Sequence, residues 1–147
     1  MEISSNSLNP SKGRDFQIKA ANLLGSYFNV NFRTDYPISI GKPPKQHKFD
    51  LVSENMNYVG ESKNISWTVS GNVPSAKMAF MNEAVFYLQQ LPLPGDTNRF
   101  VVVRKDKCAN RAESLGEYYF RINHHLLNGV FILEIDLVTE NIQRVGA

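Results

Sequence analysis

Three strand-sized segments, FRTDYPISI, HKFDLVS and YVGESKNI, follow one another between Phe32 and Ile65, and this run constrains the fold more than any other feature of the chain. Each is rich in β-branched or aromatic residues, and together they read as a meander. Ahead of them, Phe16, Ala20, Leu23, Leu24 and Tyr27 recur at helical spacing over 12–28, with Asn9, Pro10 and Ser11 as start signals. Behind them SWTVSGNVPS reads as a loop. Pro74 then opens a helix that runs through Leu91, where PLPG stops it, and Met78, Met81, Val85 and Leu88 form its buried stripe. RFVVVRK has the pattern of a strand buried on both faces. Asn110 and Glu113 suit a capping box for a helix over 111–127 that Gly116 weakens and Gly129 ends, and VFILEI supplies one more strand. The order αβββαβαβ points to an α/β protein (α+β by some conventions). Its mixed sheet would join an antiparallel meander to parallel crossovers, with helices on its faces.

At 147 residues the chain reads as one domain over 12–147 behind a polar tail over 1–11, long enough to bury a core without disulfides. Hydrophobic residues at 42% and charged residues at 20% exclude a disordered or fibrous chain. Cys108 is the single cysteine and no Cys/His cluster has zinc-site spacing, which suits a reducing cytoplasm. MEISSNSLNPSKGRD lacks the basic start and apolar run of a signal peptide, and no apolar run is long enough to span a membrane. A net charge of +2 is compatible with a polyanionic partner without requiring one, so the placement of charge matters more than its total.

That placement is unusual in FDLVSENMNYVGESKN, where charges fall beside apolar strand residues and are costly unless paired, metal-bound or used in chemistry. Glu61 and Lys63 alternate onto one face of their strand. If the chain turns back around Asn55 and Met56, Val52 faces Val59, Asp50 faces Glu61 and Lys48 faces Lys63. Two opposed carboxylates destabilise a sheet unless a cation sits between them, and hard oxygen ligands suit magnesium. Lys63 would then stand beside a phosphate and stabilise charge developing on it.

In this arrangement, an Asp on one strand and Glu-X-Lys on the next, the chain resembles the PD-(D/E)XK nuclease superfamily, the restriction-endonuclease-like fold. Asp50 and ESK, Glu61 to Lys63, carry the motif, and the resemblance covers most of residues 12–135. It implies a core of one helix, a three-strand meander, then helix and strand. It also implies Mg2+ or Mn2+ held by Asp50, Glu61 and the carbonyl of Ser62, with Lys63 as the catalytic lysine and nucleic acid, DNA first, as substrate. Two positions depart from the family's pattern: Phe49 stands where proline precedes the Asp, and Gln17 in GRDFQIKAANLL stands where many relatives have a glutamate. Gln17 would remain able to hydrogen-bond water at the site.

Lys42, Lys45, His47 and Lys48 in GKPPKQHKF immediately precede the acidic pair and suit phosphate contact, with a solvated turn as the duller reading. Lys77, in the first turn of a helix, is a further phosphate ligand candidate, and Glu83 and Tyr87 one turn apart on that helix are placed to approach the site. Trp67 reads as a core plug before it reads as a base-stacking platform. His124 and His125, adjacent on a helix, point apart and read as a helix-end pair, and Cys108 has no partner for nucleophilic chemistry.

The leading expectation is a metal-dependent DNA endonuclease, paired as a homodimer because one centre cuts one strand. The second is a nucleic-acid-binding or protein-interaction module of the same fold with little or no catalysis, which Gln17 favours. A third is a structural subunit whose charges form a strand-face network.

Overall fold

The computed structural model describes residues 10–146, so most of the polar tail expected over 1–11 lies outside the described residues. Among the described residues, three helices and a six-stranded mixed sheet form an α/β protein. The chain runs α1 (Pro10–Phe28), β1 (Phe32–Ile40), β2 (Lys45–Ser53), β3 (Tyr58–Lys63), α2 (Ser75–Gln89), β4 (Asn98–Arg104), α3 (Leu115–Asn123), β5 (Val130–Ile135) and β6 (Ile142–Arg144). This is the order αβββαβαβ with one short strand added at its end. The strands lie in sequence order across the sheet. β1, β2 and β3 are antiparallel, β3, β4 and β5 are parallel, and β6 returns antiparallel to β5.

Each face of the sheet has its own core. Phe16, Ala20 and Leu24 of α1 pack with Leu51, Phe100, Val102, Leu133 and Ile135 on one face. On the other, Met81, Ala84, Val85 and Leu88 of α2 and Leu115 and Tyr119 of α3 pack over Val59, Val101, Val103 and Ile132. Two right-handed crossovers in a sheet built strand by strand put both helices on one face, and α1 is left to cover the other. The expected stripe of α2 is met, with Met78 at its half-buried margin. In α1 Tyr27 turns outward, and Phe28 takes the inward place, stacked on Tyr58 with ring centroids 4.4 Å apart.

α3 begins later than Asn110 and Glu113 suggest. Its cap is Ser114, whose Oγ accepts from the Glu117 N–H while the Glu117 carboxylate accepts from the Ser114 N–H. A short 3-10 turn, His124–Leu126, follows it, so the helix does not reach residue 127. The cause is distant in sequence. Glu134 of β5 is buried, and its Oε2 accepts the Ser114 hydroxyl at 2.6 Å, with the Gly116 N–H also bonded to the carboxylate. A Cβ on Gly116 would lie 2.6 Å from that Oε2, so the glycine that weakens the helix is what lets a buried acid reach its first turn.

No helix among the described residues is long and apolar enough to cross a membrane.

Candidate active site

The pairing of β2 with β3 is short. Leu51↔Gly60 and Val52↔Val59 follow the register read from the sequence, and the next pair, Asp50 and Glu61, leaves the ladder. In its place the two strands exchange side chain for backbone. The Asp50 N–H donates to Glu61 Oε2 at 2.9 Å, and the Ser62 N–H donates to Asp50 Oδ2 at 2.8 Å, joined by the Ser62 hydroxyl at 3.3 Å. The strands therefore open at this level around two carboxylates. Lys48 and Lys63 are not ladder partners, because the pairing of β2 with β3 stops at Leu51↔Gly60.

The other side of Asp50 is just as constrained. Thr34↔Leu51 and Tyr36↔Phe49 are ladder pairs, which sets Asp35 across from Asp50. Leu51 lies in the core under α1 while Phe49, two residues away, lies in the core under α2. Residues two apart on a regular strand share a face, so the β1–β2 hairpin switches faces here. Asp35, with φ +52°, is in the left-handed region that accommodates the switch. Gln17 fastens the point from below: its Nε2 donates to Asp35 Oδ1 at 3.1 Å and to the Asp50 carbonyl at 3.0 Å. Arg14 completes the group with an ion pair to Asp35 at 2.5 Å. Gln17 is thus buried as a brace between α1 and the meander.

The electrostatics follow from this burial. Glu61 is 5% exposed, and burial, then the charge of Asp50, raises its pKa to about 8. Burial likewise raises Asp50, against the Ser62 N–H and the charge of Lys63. The Gln17 amide, with help from Arg14, lowers Asp35. Each central carboxylate has one oxygen anchored to backbone. The other oxygen, Asp50 Oδ1 or Glu61 Oε1, accepts no hydrogen bond among the described residues. Glu61 Oε1 lies 3.5 Å from His47 Nε2, whose pKa burial lowers, so this contact is to a neutral ring.

Two oxygens without hydrogen-bond donors, on buried Glu61 and half-buried Asp50, fit a cation. The Ser62 carbonyl fits as well, since N–H and C=O of one residue leave a strand on the same side and this N–H points at Asp50. Among the described residues no three His, Cys, Asp or Glu side chains gather to hold a metal ion, so the candidate set is two carboxylates and one carbonyl. Lys63, half-buried at the end of β3, alternates onto the face of Glu61, and its charge lowers Asp50 and Glu61.

The remaining residues separate by location. His47 sits between Phe49 and Tyr87, stacked on the Tyr87 ring at 4.1 Å, and the charge of Glu83 acts on both Glu61 and His47. Lys42 lies in the exposed hairpin turn, Lys45 and Lys48 are exposed on β2, and Lys77 is half-buried in the first turn of α2. Trp67 is a core residue, with Arg111 over its ring at 4.4 Å. His124 caps α3, its Nδ1 3.1 Å from the Phe120 carbonyl oxygen, and Cys108 contacts Asn110. Asp35 is the residue that reading the sequence missed. The turn at 41–44 held the signal, because pairing Ile40 with Lys45 carries back to set Asp35 against Asp50.

Comparison of the chain with family models, with characterised proteins and with solved structures finds no match.

Proposed function

We propose that the protein is a metal-dependent nuclease that hydrolyses phosphodiester bonds, with DNA as substrate and internal cleavage as its mode. The observation that carries this reading is the opening of β2 from β3 at Asp50 and Glu61, which brings half-buried Asp50 and buried Glu61 together, each with one oxygen that accepts no hydrogen bond among the described residues. Asp50, Glu61 and the Ser62 carbonyl would hold Mg2+ or Mn2+. A divalent ion supplies Lewis-acid polarisation of the phosphoryl group and a more acidic water. The chain's own groups do the rest. The Ser62 and Asp50 N–H groups fix the carboxylates in place. Lys63 offers an ammonium to charge developing on the phosphate oxygens. Lys42, Lys45 and Lys48 line the approach for a polyanion. Symmetric double-strand cutting would use a homodimer, and the lone Cys108 suits a reducing compartment such as the cytoplasm.

One observation favours the second reading, a binding module of little or no activity. Gln17 spends its amide on Asp35 and the Asp50 carbonyl, and among the described residues no third His, Cys, Asp or Glu side chain joins the pair as a metal ligand. Calorimetric titration separates the two. Magnesium or manganese binding at one site, abolished by Asp50→Ala, supports the nuclease, and DNA binding indifferent to metal, with no ion bound, supports the module.

A further inference from the structure

A cleft of about 390 Å³ lies between the turn end of the β1–β2 hairpin and the end of α2, and His47 joins it to the acidic pair. Buried Ile40 and half-buried His47 and Tyr87 give it an apolar lining, with Phe86, Lys45 and Gln90 exposed around them. The His47 and Tyr87 rings are nearly parallel, at 11°, while Nε2 of the same histidine stands 3.5 Å from Glu61 Oε1. Phe86 is 60% exposed, an aromatic ring left to solvent at the mouth of an apolar recess.

We propose that this cleft binds one unpaired nucleobase of a single-stranded or locally opened nucleic acid, stacked against Phe86 beside the Asp50–Glu61 pair. The choice of ligand rests on the nuclease reading above. Aromatic faces take bases of any sequence, an amide such as Gln90 can donate and accept at a base edge, and a lysine such as Lys45 pairs with the adjoining phosphate. A second copy of the chain or an apolar peptide would use the apolar lining and leave the ammonium and the amide idle. His47, which lines the cleft and stands 3.5 Å from Glu61 Oε1, links a base bound there to the acidic pair. Such a cleft would favour unpaired or distorted strands over regular duplex.

The test is binding of a short single-stranded oligodeoxynucleotide carrying 2-aminopurine, in EDTA so that no cutting intervenes, with a duplex of the same sequence alongside. The base's fluorescence should be quenched on binding. Phe86→Leu should abolish the quench and weaken single-strand binding about tenfold, Phe86→Tyr should keep both, and duplex binding should not change. At so exposed a position the fold tolerates all three residues, which circular dichroism verifies. An unchanged quench in Phe86→Leu overturns the proposal. So does a dimer that competes with the oligonucleotide and is lost in Phe86→Leu, since it gives the cleft to a second copy. Metal-dependent plasmid cutting, measured on the same proteins, judges the nuclease reading separately: cutting without quench sinks the cleft alone, and quench without cutting sinks the nuclease alone.

Discussion

Glu61 is held by the fold in a state that water would not choose for it. Its pKa stands near 8 against 4.5 for an ordinary glutamate, so below about pH 4.5 both folded and unfolded chains carry the proton. Between there and about 8 the unfolded chain releases it while the folded chain keeps it, and metal-free stability falls as pH rises through that window. Glu61→Gln keeps an oxygen for the Asp50 N–H and removes the titration. At pH 8 without metal it should be more stable than the parent by about 1 kcal/mol or more, roughly 3 °C in Tm, with the advantage shrinking toward pH 5. Thermal denaturation across pH checks this, and a parent no less stable than the variant at pH 8 contradicts it. Magnesium at the proposed site would have to displace the same proton, so its affinity should climb from pH 6 to 8.

At the scale of elements, the start of α3 depends on an acid in a distant strand. Ser114→Ala removes a cap and the hydroxyl bonded to buried Glu134, and should cost about 2 kcal/mol by chemical denaturation. Gly116→Ala should also destabilise, by about 1–3 kcal/mol, although helix propensity alone favours alanine. A stabilised Gly116→Ala would show that Glu134 does not depend on close approach. The same region shows what local pattern can and cannot carry. The strands of the meander, α2, β4 and β5 announce themselves by periodicity and turn residues within their own length. Asn110 with Glu113 and Ser114 with Glu117 are equal as local signatures, and only Glu134, twenty residues on, selects the second. β6 is three residues long, too short for any period to show. The Asp50–Glu61 meeting was legible because the turn at Asn55 and Met56 sets its register, whereas the loss of the ladder there and the face switch at Asp35 come from backbone geometry that no alternation of residue types records.

For the whole molecule the question is how a chain of net charge +2 would hold a polyanion. Placement of charge, not its total, decides this. Lys45 and Lys48 are exposed on the strand that carries Asp50, so replacing both by alanine should weaken DNA binding without sequence preference and reduce the slope of log K against log salt by about 2. Fluorescence anisotropy over a salt series measures it, and an unaltered slope would move the DNA to another face. Cleavage tests the nuclease reading most directly. Purified protein is incubated with supercoiled plasmid, linear duplex and single strands, with magnesium, with manganese and with EDTA, beside Glu61→Ala and Lys63→Ala variants prepared identically. The parent should cut in a metal-dependent way, and each variant should lower that cutting at least a hundredfold. Equal products from parent and folded variants, or none from any of them on every substrate, would contradict it and leave the binding module as the better description.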